Sequence, residues 1–203
     1  MHATIHLFRR SVAEESPEWA AALARDLHGG AATGICTLAE FSGLTGAVLA
    51  FWPTADAAAG AVDRRTGGST VWLDAGIYEV SATHVGVAAG RTPRFAQRTC
   101  LDGPRSQAQA EAMQRAGRER LWPAVRDVAG IVTVHELRDT DNGVVVVALS
   151  TDLETHEEVQ RAIFATELLP GEDPALLAEP DRVHLDRVLF ADLPVLTTVG
   201  ERS

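Results

Sequence analysis

Histidines and carboxylates at alternating positions of predicted strands are the residues of this chain that are best placed for proton transfer. His184 and Asp186 are two apart in the apolar segment 183–190, so on a strand both side chains share one face. A carboxylate beside an imidazole orients the ring and makes it a general base. His135 lies on another predicted strand, two residues after Thr133. We therefore predict His184, Asp186 and His135 as catalytic residues.

The same periodicity predicts a set of substrate-binding residues. On the first predicted strand, polar and aromatic side chains alternate with apolar ones, and we expect the mixed face to line a cavity. The predicted substrate-binding residues are His6, Phe8, Trp52, Trp72, Asp74, Tyr78, Thr133 and Phe190. Two structural alternatives stay open. Large aromatic side chains are often core residues, and Asp74 and Asp186 can hydrogen-bond a neighbouring strand or an arginine.

The sequence gives little support for lysine, cysteine or metal chemistry. The chain has no lysine, so lysine Schiff-base catalysis is excluded. Cys36 and Cys100 have no CxxC spacing and are predicted to be buried, reduced thiols. His135, His184 and Asp186 can be written as a two-histidine, one-carboxylate metal set, but such sets arise easily among seven histidines. We predict no metal and no cofactor.

The amino-acid composition disfavours some classes of binding partner. The 203 residues include 18 basic and 28 acidic groups, a formal net charge of −10. Such a charge repels nucleic acid and anionic membrane surfaces. No apolar run of about 18 residues and no leader pattern is present, so a cytoplasmic location is expected. Arginine as the sole basic residue, together with abundant alanine, is typical of a high-GC genome such as an actinobacterial one.

Two segments in the first half of the sequence recur, with substitutions, in the second half. GICTLAEF at residues 34–41 returns as GIVTVHEL at 130–137, and VWLD at 71–74 returns as VHLD at 183–186. Helix-capping residues occupy equivalent places, including Ser106 before the third helix and Thr151 before the fourth. Each copy therefore has the order β-α-β-β-α-β.

This order is that of a ferredoxin-like unit, a four-stranded antiparallel sheet with two helices on one face. We predict a first repeat over residues 1–83, a linker over 84–94 and a second repeat over 95–203 with a loop insertion at 167–180. The strand segments at 47–51 and 144–149 are apolar on both faces, so something must cover the second face. The predicted fold class is α+β, with the two tandem units facing each other in one intramolecular, pseudo-dimeric α+β barrel around a cavity.

One segment carries a family resemblance. AFWPTADA at residues 50–57 is similar to a strand-then-helix pattern of the antibiotic biosynthesis monooxygenases, in the dimeric α+β barrel superfamily. In the second copy ALSTD at 148–152 lacks the tryptophan. The resemblance implies a tandem-duplicated, cofactor-independent oxygenase with Trp52 at its site. The polar partner expected of the quinone-forming members is missing, because the sole asparagine, Asn142, belongs to a turn. Haem-degrading relatives would use a histidine on the second helix, where the second copy has His156.

The functional hypothesis is a monooxygenase-like enzyme, an oxidoreductase that acts on a small aromatic or polyketide-type molecule and molecular oxygen. His184 or His135 would remove a proton from the substrate while aromatic side chains exclude water. The alternative is a non-catalytic small-molecule-binding or structural barrel. An isomerase or cyclase using the same base and a haem-binding relative are further options. We expect a monomer or a homodimer.

Overall fold

The computed structural model describes residues 1–10, 16–28, 30–64 and 70–194. Its strands are β1 (His2–Arg10), β2 (Gly34–Glu40), β3 (Thr45–Trp52), β4 (Thr70–Val85), β5 (Phe95–Leu101), β6 (Ile131–Arg138), β7 (Val144–Ser150) and β8 (Arg182–Asp192). Its α-helices are α1 (Pro17–His28), α2 (Ala55–Val62), α3 (Gln107–Ala116), α4 (Trp122–Val125) and α5 (Glu154–Phe164). A π-helical turn, Gly117–Leu121, joins α3 to α4, and a 3₁₀ turn, Pro174–Leu176, lies before β8.

The eight strands form one closed antiparallel barrel in the order β1-β3-β2-β8-β5-β7-β6-β4. Strands from the first half run β4-β1-β3-β2 and those from the second run β8-β5-β7-β6, and the pairs β2–β8 and β4–β6 close the barrel. The predicted α+β barrel is thus confirmed at the level of architecture. Duplication and the repeat limits stay predictions, and residues 195–203 of the second predicted repeat lie outside the described chain.

β4 is longer than predicted and enters the expected linker. Its first part, from Thr70 to Glu79, pairs with β1, and its last part, from Glu79 to Val85, pairs with β6. Backbone hydrogen bonding to the second half therefore keeps the segment extended where the sequence suggested a connection. The expected linker contributes its first two residues to this strand.

Two apolar layers stabilise the fold. The barrel interior holds side chains from all eight strands or their ends, among them Ile5, Leu38, Phe51 and Leu149. A second layer lies between the outer face of β1, β2 and β3 and the helices α1 and α2, and includes Trp52. Both faces of β3 are covered, which explains its nearly continuous apolar sequence.

Local signals set most helix starts. Thr54 Oγ1 accepts the Ala57 N–H at the start of α2, and Ser106 with Gln109 forms a complete capping box before α3. The helix that Thr151 was predicted to cap is α5. That prediction is wrong, because Asp152 rather than Thr151 accepts the Thr155 N–H, at 3.0 Å. A carboxylate is a stronger acceptor than a hydroxyl for these N–H groups. Among the described helices, none is long and apolar enough to cross a membrane.

Candidate functional site

The face of β1 predicted to line the cavity lies outside the barrel. Ala3, Ile5 and Leu7 belong to the interior, while His6 and Phe8 lie beneath the helices. The His6 Nε2 atom is 3.3 Å from Ala61 O and 3.2 Å from Val62 O of α2. Helices cover the outer face of β1, so this face is as buried as the barrel interior. The alternation of side chains along β1 therefore did not distinguish the two faces.

Three further aromatic residues predicted to bind substrate also lie outside the barrel. Trp52 is buried against α2, and its indole N–H donates to Thr4 Oγ1 at 3.0 Å. Trp72 and Phe190 pack against the same outer layer. The predictions that these residues and His6 and Phe8 line the cavity are therefore wrong.

β-Bulges explain why Trp72 and Asp74 do not share a face. Leu7 pairs with Asp74 but the next residue of β1 pairs with Trp72, so one residue of β4 is extra. The register between β2 and β8 shifts in the same way, since Thr37 pairs with Phe190 and Leu38 with Val188. An extra residue reverses the side-chain alternation beyond it.

The barrel interior opens into a pocket at each end. The upper cavity has a volume of about 200 Å³. It is lined by Met1, Phe51, Ala89, Gly90, Arg91, Thr92, Pro93, Val132, Thr133, His135, Ala191, Leu193 and Pro194. The lower pocket has a volume of about 90 Å³. It is lined by Ile5, Leu7, Asp74, Gly76, Tyr78, Arg98, Cys100, Leu101, Asp102, Asp139, Val144, Val145, Arg182 and His184.

His135 is the titratable side chain at the base of the upper cavity. Its ring is 4% exposed, and its centroid lies 4.6 Å from that of Phe51. Thr83 Oγ1 is 3.1 Å from Nδ1, and Thr133 Oγ1 is 3.3 Å from Nε2. Burial, assisted by the charge of nearby His84, lowers the pKa of His135 to about 4. The imidazole is therefore neutral at pH 7, with one nitrogen able to accept a proton.

The predicted contact between His184 and Asp186 is not formed. Asp186 is fully buried and accepts two hydrogen bonds from Arg98, at 2.7 Å from Nε and 3.1 Å from Nη2. His184 Nδ1 instead lies 2.8 Å from Glu40 Oε1. Asp186 binds Arg98 in preference to His184, because the two parallel N–H groups of a guanidinium match the two carboxylate oxygens.

Glu40 connects the two halves of the barrel. It accepts from Thr45 and His184, and its Oε1 lies 3.8 Å from Arg98 Nη2. Burial raises the pKa of its carboxyl, but the hydrogen bonds from Thr45 and His184 and the nearby positive charges outweigh burial and lower it overall. Glu40 is thus an anion that fixes the orientation of the His184 ring.

The other predicted residues of the lower pocket are Asp74 and Tyr78. Asp74 Oδ1 accepts the Ala75 N–H at 2.8 Å. Burial and the carboxylates Asp139 and Asp74 raise the pKa of Tyr78 to about 12. Cys36 and Cys100 are buried and free, as predicted, and burial raises the pKa of both thiols. These thiols are therefore poor nucleophiles.

Pocket size separates the two candidate sites. A cavity of about 150 Å³ is enough for benzene. The upper cavity exceeds that volume and the lower pocket does not. His135 and Thr133, which the sequence identified, therefore lie where a ring can enter, whereas His184, Asp186, Asp74 and Tyr78 lie at the smaller opposite end.

Metal and haem ligation are not favoured by this geometry. Within the described ranges, no group of three His, Cys, Asp or Glu side chains is placed to hold a metal ion. His156, the histidine on α5, is buried with Nε2 2.9 Å from Ser150 Oγ. Its ring nitrogen is engaged by a hydroxyl, so the haem pattern does not fit.

Four residues were not identified from the sequence: Phe51 and Arg98, which line the pockets, and Thr83 and Glu40, which contact His135 and His184. Arg98 had a readable signal, because it alternates with Ala96 and Cys100 on an otherwise apolar strand face. A lone arginine on such a face requires a buried carboxylate. Thr83 had none, since it stands at the end of the first predicted repeat, beside the expected linker 84–94.

Comparisons with known proteins identify the fold. No family model matches this sequence, and no curated protein matches it. A solved candidate monooxygenase from Fusobacterium nucleatum superposes with a TM-score of 0.65 at 10% identity, covering 95% of this chain and 94% of that one. An anthrone oxidase-like protein gives 0.60 at 12% identity, covering 94% and 92%. Chlorite dismutase from Candidatus Nitrospira defluvii gives 0.57 at 11% identity, covering 92% and 90%. At these identities, the shared feature is the α+β barrel fold along nearly the whole of each chain.

Proposed function

We propose that this protein is a cofactor-independent monooxygenase-like enzyme that acts on a small aromatic molecule in the upper cavity. The observation that carries the proposal is the neutral imidazole of His135 at the base of a ring-sized, largely apolar cavity. Structures of the same fold include proteins named as a candidate monooxygenase and as anthrone oxidase-like, which favours this reaction class.

The proposed first step is removal of a proton from the substrate by His135. In a neutral imidazole one nitrogen carries hydrogen and the other carries a lone pair. One neighbouring threonine therefore accepts from the ring and the other donates to it, whichever tautomer is present. A substrate hydroxyl that replaces the donating threonine gives its proton to the same lone pair. Because the pKa of His135 is about 4, a phenolic hydroxyl keeps most of its proton at equilibrium, and the small anionic fraction is the species that reacts with oxygen.

The proposed second step is attack of the electron-rich substrate anion on oxygen. For a phenol, the ring C–H beside the hydroxyl becomes C=O, the O–H becomes a second C=O, and the other oxygen atom of O₂ leaves as water. The overall change is ArH(OH) + O₂ → quinone + H₂O, which needs no external reductant. The apolar wall of Phe51, Val132 and Leu193 keeps water from the anion.

A non-catalytic binding barrel is the second candidate function. Ligand pockets usually measure about 300–1,000 Å³, and the upper cavity is smaller, at about 200 Å³. The low pKa of His135 also makes it a weak base. Both observations fit a barrel that holds a small molecule without transforming it.

Oxygen uptake tests the choice between the two candidate functions. Purified protein is mixed with hydroquinones, phenols and an anthrone in an oxygen-electrode cell, with His135→Gln and His184→Gln as matched variants. We expect uptake with at least one ring compound, a loss of about 10²-fold or more in His135→Gln, and little change in His184→Gln. Equal uptake by wild type and His135→Gln contradicts the assigned base. If no substrate is consumed, the binding barrel is supported.

A further inference from the structure

We infer that the upper cavity selects a single aromatic ring that carries a carboxylate at one end and a hydroxyl at the other. This inference rests on the proposed function for the identity of the reacting end and on the cavity itself for size and charge.

Volume limits the guest to one ring. The cavity measures about 200 Å³, compared with about 150 Å³ for a cavity that holds benzene. A fused three-ring molecule would need the barrel wall to move, and eight-stranded barrels are just wide enough for side chains or one small ligand. The ring would lie against Phe51 and Val132, which are buried in the wall.

The charge at the mouth of the cavity determines which chemical group the ligand carries at its outer end. Arg91 is the ionised side chain among the described residues that line the cavity, because His135 is neutral. The structure gives its guanidinium no hydrogen bond or ion pair with any residue in the described ranges. Hydrogen bonds from Thr155 and Thr151, with a smaller contribution from the charge of Arg91, lower the pKa of Asp152, so the oxygens of this carboxylate are already engaged. The net charge of −10 repels anions in general, so it is the local guanidinium at the cavity mouth that favours an anionic group on the ligand, through charge-assisted hydrogen bonds.

The positions of Arg91 and His135 determine where the two substituents lie on the aromatic ring. Arg91 is exposed at the mouth, whereas His135 is buried at the base. A carboxylate held by Arg91 and a hydroxyl directed to His135 must therefore lie at opposite ends of the ring. A para-hydroxy aromatic carboxylate meets this requirement, and an ortho isomer does not.

Calorimetric binding of matched ring compounds tests the inference without turnover. The probes are 4-hydroxybenzoate, neutral 4-hydroxybenzamide, cationic 4-hydroxybenzylamine, 2-hydroxybenzoate and a tricyclic anthrone, under nitrogen. We expect 4-hydroxybenzoate to bind about tenfold or more tightly than the amide, the amine and the ortho isomer. Arg91→Gln should abolish the preference over the amide. Arg94→Gln, at an exposed arginine outside the cavity lining, should retain it.

The outcomes separate this inference from the proposed function. Equal binding of the benzoate and the amide by wild type overturns the charge assignment, and this comparison needs no variant. Tighter binding of the anthrone, or no binding of any ring compound, overturns the size assignment. If 4-hydroxybenzoate binds as expected while oxygen is never consumed, the inference stands and the monooxygenase proposal fails.

Discussion

His135 illustrates how burial gives a histidine its chemical state. The spacing Thr133-x-His135 predicted that both side chains share one face, and both line the upper cavity. The sequence could not reveal that Thr83, from a strand of the other half, lies against the second ring nitrogen. Contacts between distant segments decide such details, whereas alternation along one strand does not.

The stability of the protein should depend on the protonation of His135. Its pKa is about 4 in the folded protein and 6.5 in the reference state. The unfolded chain therefore binds more protons, so the stabilisation is complete above pH 6.5 and is lost as the pH falls towards 4. We expect the unfolding free energy to decrease by about 3 kcal/mol more in wild type than in His135→Gln between pH 7 and pH 4. Urea titrations at both pH values measure this, and parallel pH profiles would contradict the assignment.

Arg98 and Asp186 form the buried ion pair of the lower pocket. Replacing Arg98 by Met leaves the fully buried Asp186 carboxylate without its partner. We expect a loss of about 3–5 kcal/mol in unfolding free energy. The double variant Arg98→Met/Asp186→Leu removes both charges and should recover most of it. A single variant as stable as wild type, measured by urea denaturation, would show that the pair contributes little.

At the scale of the strand, register shifts limited the prediction. Turn and capping signals located the helices and strands closely, because they act within a few residues. The bulges in β4 and β8 have no comparable signal, and each reverses the faces of the residues beyond it. Trp72 and Phe190 were misplaced for this reason, in addition to the burial of both strand faces.

The turn after β4 should tolerate no side chain at Gly86. A Cβ atom there would lie 2.2 Å from Ile131 O, and the Gly86 N–H donates to Val132 O at 3.0 Å. We expect Gly86→Ala to reduce stability by about 1–3 kcal/mol. Gly60→Ala is the matched control in α2, where nothing lies within 4 Å, and should stabilise by about 0.5–1 kcal/mol. Thermal unfolding of both variants measures the difference, and equal behaviour would refute this close packing.

At the scale of the whole molecule, the barrel architecture followed from the order of elements and from the apolar pattern of the strands. Four strands with helices on one face leave a second apolar face, and a closed barrel is the solution that covers it. The closing pairs β2–β8 and β4–β6 could not be assigned from the sequence, because they join segments far apart in the chain. They also decide which residues meet, since Glu40 reaches His184 across one of them.

The two ends of the barrel therefore offer different environments, and we assign the ligand to the upper one. Imidazole nitrogen NMR of the uniformly ¹⁵N-labelled protein, titrated with 4-hydroxybenzoate, tests this assignment most directly. We predict that the ring nitrogens of His135 shift with saturation while those of His184 stay unchanged. A shift of His184 with His135 unchanged would place the ligand in the lower pocket and contradict the account.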